Sequence, residues 1–246
     1  MNERRRMILT MVTQQGEVHF SQLKECFPDV SEATLRKDLK YLDATKQLVR
    51  IHGGAKSFPQ VMDFDLRSAL CSEEKVQIAT KAAALIHPRD SVFISAGSTC
   101  VELSKRISYS SLSVFTDGLN TVMNFNRSSG SSLELLGGEV DFNTMRMNGP
   151  SVLEALDRLH FNIAFLGTPG LNLKYGFADM YSITSAIVAK IITRSDRVAI
   201  LMDSSKVNNA QAPRYTPLKD IDIVVSDGAL PEEAKQCLEE AGIQIL

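Results

Sequence analysis

Five short stretches place glycine and small polar residues directly behind apolar, β-rich runs: SAGSTC at 95–100, TDGLN at 116–120, LLGGE at 135–139, GTPG at 167–170 and DSSK at 203–206. Gly97 lets backbone approach a ligand closely, and the amides of Ser98 and Thr99 open a helix whose N-terminus favours an anion. The hydroxyls of Ser98, Thr99, Thr116 and Thr168, the amide of Asn120 and the carboxylate of Glu139 can hydrogen-bond such a ligand. Gly137, Gly138 and Gly170 expose backbone, and Lys206 can neutralise a phosphate. Each stretch alone is weak, because turns after strands need small residues anyway. Five in register, with Lys206, point to a small phosphorylated ligand.

A second set of residues suits a different polyanion. Ser31 has the character of a helix N-cap, and Leu35, Leu39 and Leu42 then form one apolar stripe. Thr34, Arg36, Lys37 and Lys40 lie off that stripe. A preceding helix is expected over Glu3 to Gln15, with Met7, Ile8, Met11 and Val12 inward and Gly16 as its stop. A short one is expected over Gln22 to Phe27, capped by Ser21 and closed by Pro28. The segment QLVRIHGGAKSF then reads as a β-hairpin turning at Gly53-Gly54, with Arg50, His52 and Lys56 outside. Helices joined by a short turn, the second carrying cations, make a helix-turn-helix that enters the DNA major groove, and the hairpin is a wing along the backbone.

The remaining chain alternates apolar runs (SVFISAG, LSVFTD, SLELLGG, NIAFLG, RVAILMD, DIVVSD, IQIL) with helical patterns. That alternation predicts a mostly parallel sheet covered on both faces, with ligands at the C-terminal strand ends. The fold class is therefore α/β, with residues 1–58 a small DNA-binding domain, 59–74 a linker and 75–246 the larger domain. Residues 1–58 hold ten Lys/Arg against seven Asp/Glu, and the rest seventeen against twenty-two, so a net charge of −2 divides into +3 and −5. Double-stranded DNA is thus a partner for the first part only. No run is apolar enough for a membrane span and no signal peptide is legible, which places the expected location in the cytoplasm. Cys26, Cys71, Cys100 and Cys237 have no metal-ligand spacing, and neither a metal nor another cofactor is expected. His19, His52, His87 and His160 lie away from the strand ends, and no Ser-His-Asp set is legible. An isomerase would need a carboxylate base, for which Glu139, Asp203 and Asp117 are the candidates. An enzyme of that kind, or a DNA-binding chain whose larger domain binds nothing, are the rival readings.

SEATLRKDLKYL followed by LVRIHGGA resembles the signature of the DeoR family of bacterial transcriptional regulators. AGST, FTDGLN, LLGGE, NGPSVLEAL, FNIAFLG and LMDSSK resemble that family's sensor domain, in family order. The resemblance implies a winged helix-turn-helix followed by a domain related to sugar-phosphate isomerases and coenzyme A transferases. It also implies a homo-oligomeric repressor of sugar or nucleoside catabolism, not an enzyme, released by a phosphorylated sugar. This chain departs from the family in carrying Lys37 beside Arg36 where two arginines are usual, and Lys46 where a glycine ends the recognition helix. In the sensor, acids usual in the family are replaced at Ser95, at Pro169 and in YSITSA (181–186), and GTT reads GST. Cys100 stands where threonine is frequent. These losses predict an altered effector, or none.

Overall fold

The computed structural model describes residues 3–44, 47–57, 68, 71–109, 111–142, 144–179, 182–208, 212 and 214–246. The expectations at Lys46, at Tyr181 and over 59–67 of the linker lie outside them. The chain divides into two compact units, Met1–Leu70 and Cys71–Leu246.

In the first unit, α1 spans Glu3–Gln15, β1 Glu17–His19, α2 Phe20–Cys26 and α3 Glu32–Ala44, followed by β2 Leu48–Ile51 and β3 Gly54–Ser57. Ile8, Leu9 and Val12 of α1, Leu23 of α2 and Leu35, Leu39 and Leu42 of α3 are buried in one core with Val18, Leu48 and Ala55. Met7 is 49% exposed, while Leu9 joins the expected Ile8 and Val12 inside and Met11 packs against them part-buried. The short helix also differs: His19, not Ser21, is its N-cap, because Gln22 Oε1 accepts the His19 N–H at 2.8 Å and closes a capping box. The hairpin β2–β3 is joined by β1 on its other side, giving the antiparallel order β1-β3-β2. A side chain on Gly54 would put its Cβ 2.2 Å from the Val18 carbonyl oxygen, so only glycine permits this close strand approach.

The second unit opens with α4, Ser72–Ala83. Its main sheet contains β4 Ser91–Ile94, β5 Ser113–Thr116, β6 Ser132–Leu135, β9 Ile163–Gly167, β12 Val198–Leu201, β14 Ile223–Val225 and β15 Gln244–Ile245. All neighbours pair in parallel, in the order β15-β14-β12-β9-β4-β5-β6. These are the seven apolar runs recognised above. Their side chains alternate between two cores: Val92, Ile94, Ile163, Phe165, Ala199 and Leu201 face one, while Phe93, Ala164, Leu166, Val198 and Ile200 face the other. Helices α5 Ser98–Ser104, α6 Leu119–Asn124, α7 Pro150–Leu156, α8 Ser182–Thr193 and α9 Glu232–Glu240 lie between strands along the chain.

Two small additions escaped the sequence reading. A hairpin of β7 Glu139–Asp141 and β8 Arg146–Asn148 follows β6, and β10 Leu171–Asn172, β11 Gly176–Asp179 and β13 Arg214–Thr216 form a three-stranded sheet. From β4 the strand order runs outward in both directions, to β5 and β6 on one side and to β9 and β12 on the other. The C-terminal ends of β4 and β9 therefore flank a topological switch point, where sheets of this kind leave a crevice.

Candidate functional site

The N-terminal interface begins at Ser31, whose Oγ accepts the Thr34 N–H at 3.2 Å and shares a hydrogen bond with Thr34 Oγ1 at 2.8 Å. That cap starts α3 in the orientation its cations need. Arg36 is exposed, lies 3.7 Å from Glu32 Oε2 and stacks 4.5 Å from the centroid of the Phe20 ring. Both contacts are weak at an exposed site, about 0.5–1 kcal/mol each, so the guanidinium stays available to a stronger anion. Lys37, Lys40, Arg50, His52 and Lys56 are exposed and make no ion pair among the described residues. The helix face and the wing thus bring all eight predicted residues, Ser31 to Lys56, into one unit.

What positions α3 was not foreseen. Asp38, 2% exposed, accepts Arg4 Nε and Arg5 Nε, each at 2.6 Å, and so ties α3 to α1. Arg5 also lies 3.9 Å over the Tyr41 ring. Burial pushes the Asp38 carboxyl up, but the hydrogen bonds and charges of Arg4 and Arg5 outweigh it and hold it below the usual carboxylate range. A depressed folded-state value stabilises the unit above the unfolded carboxylate value, about 3.9, and the contribution is lost as pH falls through the folded value. Asp38→Asn is expected to cost about 2 kcal/mol at pH 7. Between pH 5 and 3 its stability should change less steeply than that of the wild type, which thermal melts across that range would read.

At the switch point, Arg146 is the centre. Strand β8 is held to the loop after β5 by Met147 N–H to the Asp117 carbonyl at 2.7 Å and Leu119 N–H to the Met145 carbonyl at 2.9 Å. That docking buries Arg146 to 8% exposure over the ends of β4 and β5. Its Nη2 donates to Ser95 Oγ at 2.7 Å and to the Ala96 carbonyl at 3.2 Å, and its Nε lies 3.3 Å from Asp117 Oδ2. Asp117, fully buried, accepts the Ala96 N–H at 2.7 Å. Beside it lies a cavity of about 70 Å³ lined by Arg146, Gly167, Thr168, Asp179, Thr184 and Thr216 among others. Arg146 Nη1 and Asp179 Oδ2 are buried without a hydrogen-bond partner.

The predicted strand-end residues divide by role. Gly97 has φ +153° with no backbone near its missing Cβ, and Ser98 and Thr99 are buried yet make no side-chain hydrogen bond among the described residues. Lys206 makes no ion pair among the described residues. Asn120 is half-buried, while Gly137 and Glu139 are exposed. Thr116 is fully buried and its Oγ1 accepts the Gly118 N–H at 3.0 Å, while Thr168 Oγ1 bonds to Gly170 at both backbone atoms. A Cβ on Gly138 would lie 2.3 Å from the Asn148 carbonyl oxygen, so that glycine serves the packing of β8. Cys100 is buried, and burial, eased by the Arg146 charge and reinforced by Asp117, pushes its thiol up to about 12. It is protonated and inert at neutral pH. Among the described residues no cluster of His, Cys, Asp and Glu could hold a metal ion, and no helix is long and apolar enough to cross a membrane.

The family model for the DeoR C terminal sensor domain matches residues 70–228, and that for the DeoR-like helix-turn-helix domain matches residues 4–61. The chain belongs to the DeoR family. This is a family of transcriptional regulators, and both of its parts are present in the family's order. The DeoR-type relatives include the HTH-type transcriptional regulator GolR of Listeria innocua, 26% identical over 99% of this chain and 97% of the relative. Another is the HTH-type transcriptional repressor GlcR of Bacillus subtilis, 28% identical over 99% of this chain and 95% of the relative. A solved ribose 5-phosphate isomerase from Methanocaldococcus jannaschii is 13% identical, covering 55% of this chain and 54% of its own, with a TM-score of 0.39.

Within this DeoR-type sensor, the acids absent at Ser95 and Pro169 leave no site empty of carboxylates. Asp117, within the FTDGLN stretch, and Asp179 are buried there, and Ser95 serves as an acceptor for Arg146. Neither Arg146 nor Asp179 was among the predicted residues. A lone arginine between a hairpin's glycines carries no spacing signal, and Asp179 is indistinguishable in sequence from a surface acid.

Proposed function

We propose that this DeoR-family chain is an operator-binding repressor whose larger unit senses a small phosphorylated metabolite and lets DNA go when it binds. The observation that carries the DNA half is the exposed cationic face of α3 beside the wing, in a unit of net positive charge. The sensing half is supported by the Gly97–Thr99 loop, whose two buried hydroxyls make no hydrogen bond among the described residues, and by the Arg146 cavity, both at the sheet's switch point. Residues 97–99 and Lys206 take the phosphate, whose three oxygens suit free hydroxyls, backbone amides and an ammonium. A homo-oligomer presents two or more α3 helices to repeated half-sites. Ligand binding changes affinity for DNA only as far as it favours one arrangement of the oligomer over another.

Thermal unfolding against a panel of sugar phosphates and nucleoside phosphates tests this reading. One compound at a hundred times its dissociation constant should stabilise the protein by about 2.7 kcal/mol, and the same compound should release bound DNA. A protein that binds DNA and is indifferent to the whole panel has a larger unit that only assembles. Turnover of a pentose or hexosamine phosphate, abolished by Glu139→Gln, would make the chain an enzyme.

A further inference from the structure

The cavity beside Arg146 joins two buried side chains of opposite charge, each keeping one polar atom without a partner: Arg146 Nη1 and Asp179 Oδ2. Leaving a buried charged group unsatisfied is costly unless something else supplies the bond. Both residues come from additions to the main sheet, Arg146 from β8 and Asp179 from the end of β11, and they meet at its switch point. Leu166, Phe177 and Ile200 give the cavity apolar walls.

The charges there do not balance. Arg146 is already paired with Asp117, whose Oδ2 lies 3.3 Å from its Nε, whereas Asp179 has no ion pair among the described residues. Arg214, the rung partner of Asp179 on β13, is exposed and forms none with it. One guanidinium therefore faces two buried carboxylates, an excess of one negative charge. A phosphate or carboxylate entering here meets repulsion. A hydroxyl would satisfy the hydrogen bond and leave the charge. An ammonium satisfies both, and a neighbouring hydroxyl or carbonyl oxygen accepts from Arg146 Nη1.

We propose that this cavity receives the end of the effector remote from its phosphate, and that this end carries a primary amine beside an oxygen, as in an amino sugar phosphate. Asp179 takes the ammonium and Arg146 the oxygen. The inference rests on the sensor reading above and names the ligand class for it.

Titration calorimetry on the intact protein tests it with matched pairs: glucosamine, galactosamine and mannosamine 6-phosphates against glucose, galactose and mannose 6-phosphates. At least one amino member should bind tenfold or more tighter than its hydroxyl counterpart, and N-acetylation should abolish the gain. Asp179→Asn should bring that ratio to about one by weakening the amino compound; the wild-type ratios need no variant to fold. Equal binding within twofold in all pairs overturns the amine while leaving the sensor reading intact. A preference that survives Asp179→Asn overturns the role of Asp179. Free glucosamine binding as tightly as its phosphate would overturn the phosphate reading but not the amine. No binding by any compound overturns both.

Discussion

Arg146→Ala should destabilise the larger unit by about 3–5 kcal/mol, the range for removing one partner of a buried ion pair. The loss is severe because Asp117, fully buried, would keep its carboxylate with only the Ala96 N–H for company. Ser95 Oγ and the Ala96 carbonyl would lose a donor in the same step. At roughly 2–4 °C per kcal/mol for a unit of this size, the melting temperature should fall by about 10 °C. Calorimetry would read the fall, and a second variant identifies its cause. Arg146→Met with Asp117→Asn removes both members of the pair and should recover much of the stability, because Asp117 no longer keeps a carboxylate without its guanidinium, while Asp179 stays as it is in Arg146→Ala. If the double variant is no more stable than Arg146→Ala, the guanidinium acts through packing and not through its charge.

On the DNA side, Lys37→Ala combined with Lys40→Ala should weaken binding on the order of a hundredfold at low salt. Each lysine is exposed, makes no ion pair among the described residues and sits on the face of α3 that Leu35, Leu39 and Leu42 leave outward. Each phosphate neutralised contributes about 0.9 to the slope of log affinity against log salt, so the double variant should lose about two units of that slope. Fluorescence anisotropy on a random 30-base-pair duplex, in the order of tens of millimolar salt upward, measures both quantities without knowledge of the operator. Unchanged affinity and slope would place the DNA elsewhere on the protein. The stability of the variant should match that of the wild type, since neither side chain supports the core.

The sequence was most informative where one short segment determines its own structure. The bounds of α1, the Ser31 cap, the hairpin at Gly53-Gly54 and the seven strands of the parallel sheet follow from periodicity, capping and turn chemistry. The failures share a cause. The His19 cap depends on Gln22 reaching back to a backbone amide, and Ser21 has the better intrinsic preference for that place. Asp38 looks like any outward charge on an amphipathic helix until Arg4 and Arg5 arrive from more than thirty residues earlier. Arg146 joins residues 51 positions away at Ser95, and Asp179 gains its meaning only from the wall opposite. Contacts made by folding leave no local period, so the polar core of the site was the part least legible in advance. The family's missing acids predict an altered effector or none, and sequence alone does not reveal that Asp117, after β5, and Asp179, at the end of β11, lie buried close to Arg146.

The strand order also sets a timetable. Every pairing in the small unit closes within residues 17–57, so its sheet is complete early in synthesis. The central strand β4 must wait for β9, whose pairing with it joins Val92 to Ile163, and β9 waits for Val198. At roughly 5–20 residues per second on the ribosome, the smaller unit has its strands several seconds before the larger one. Non-local parallel pairing then adds a slow closure step of its own. A nascent chain therefore has its helix-turn-helix unit before the strands that carry the Arg146 cavity can pair.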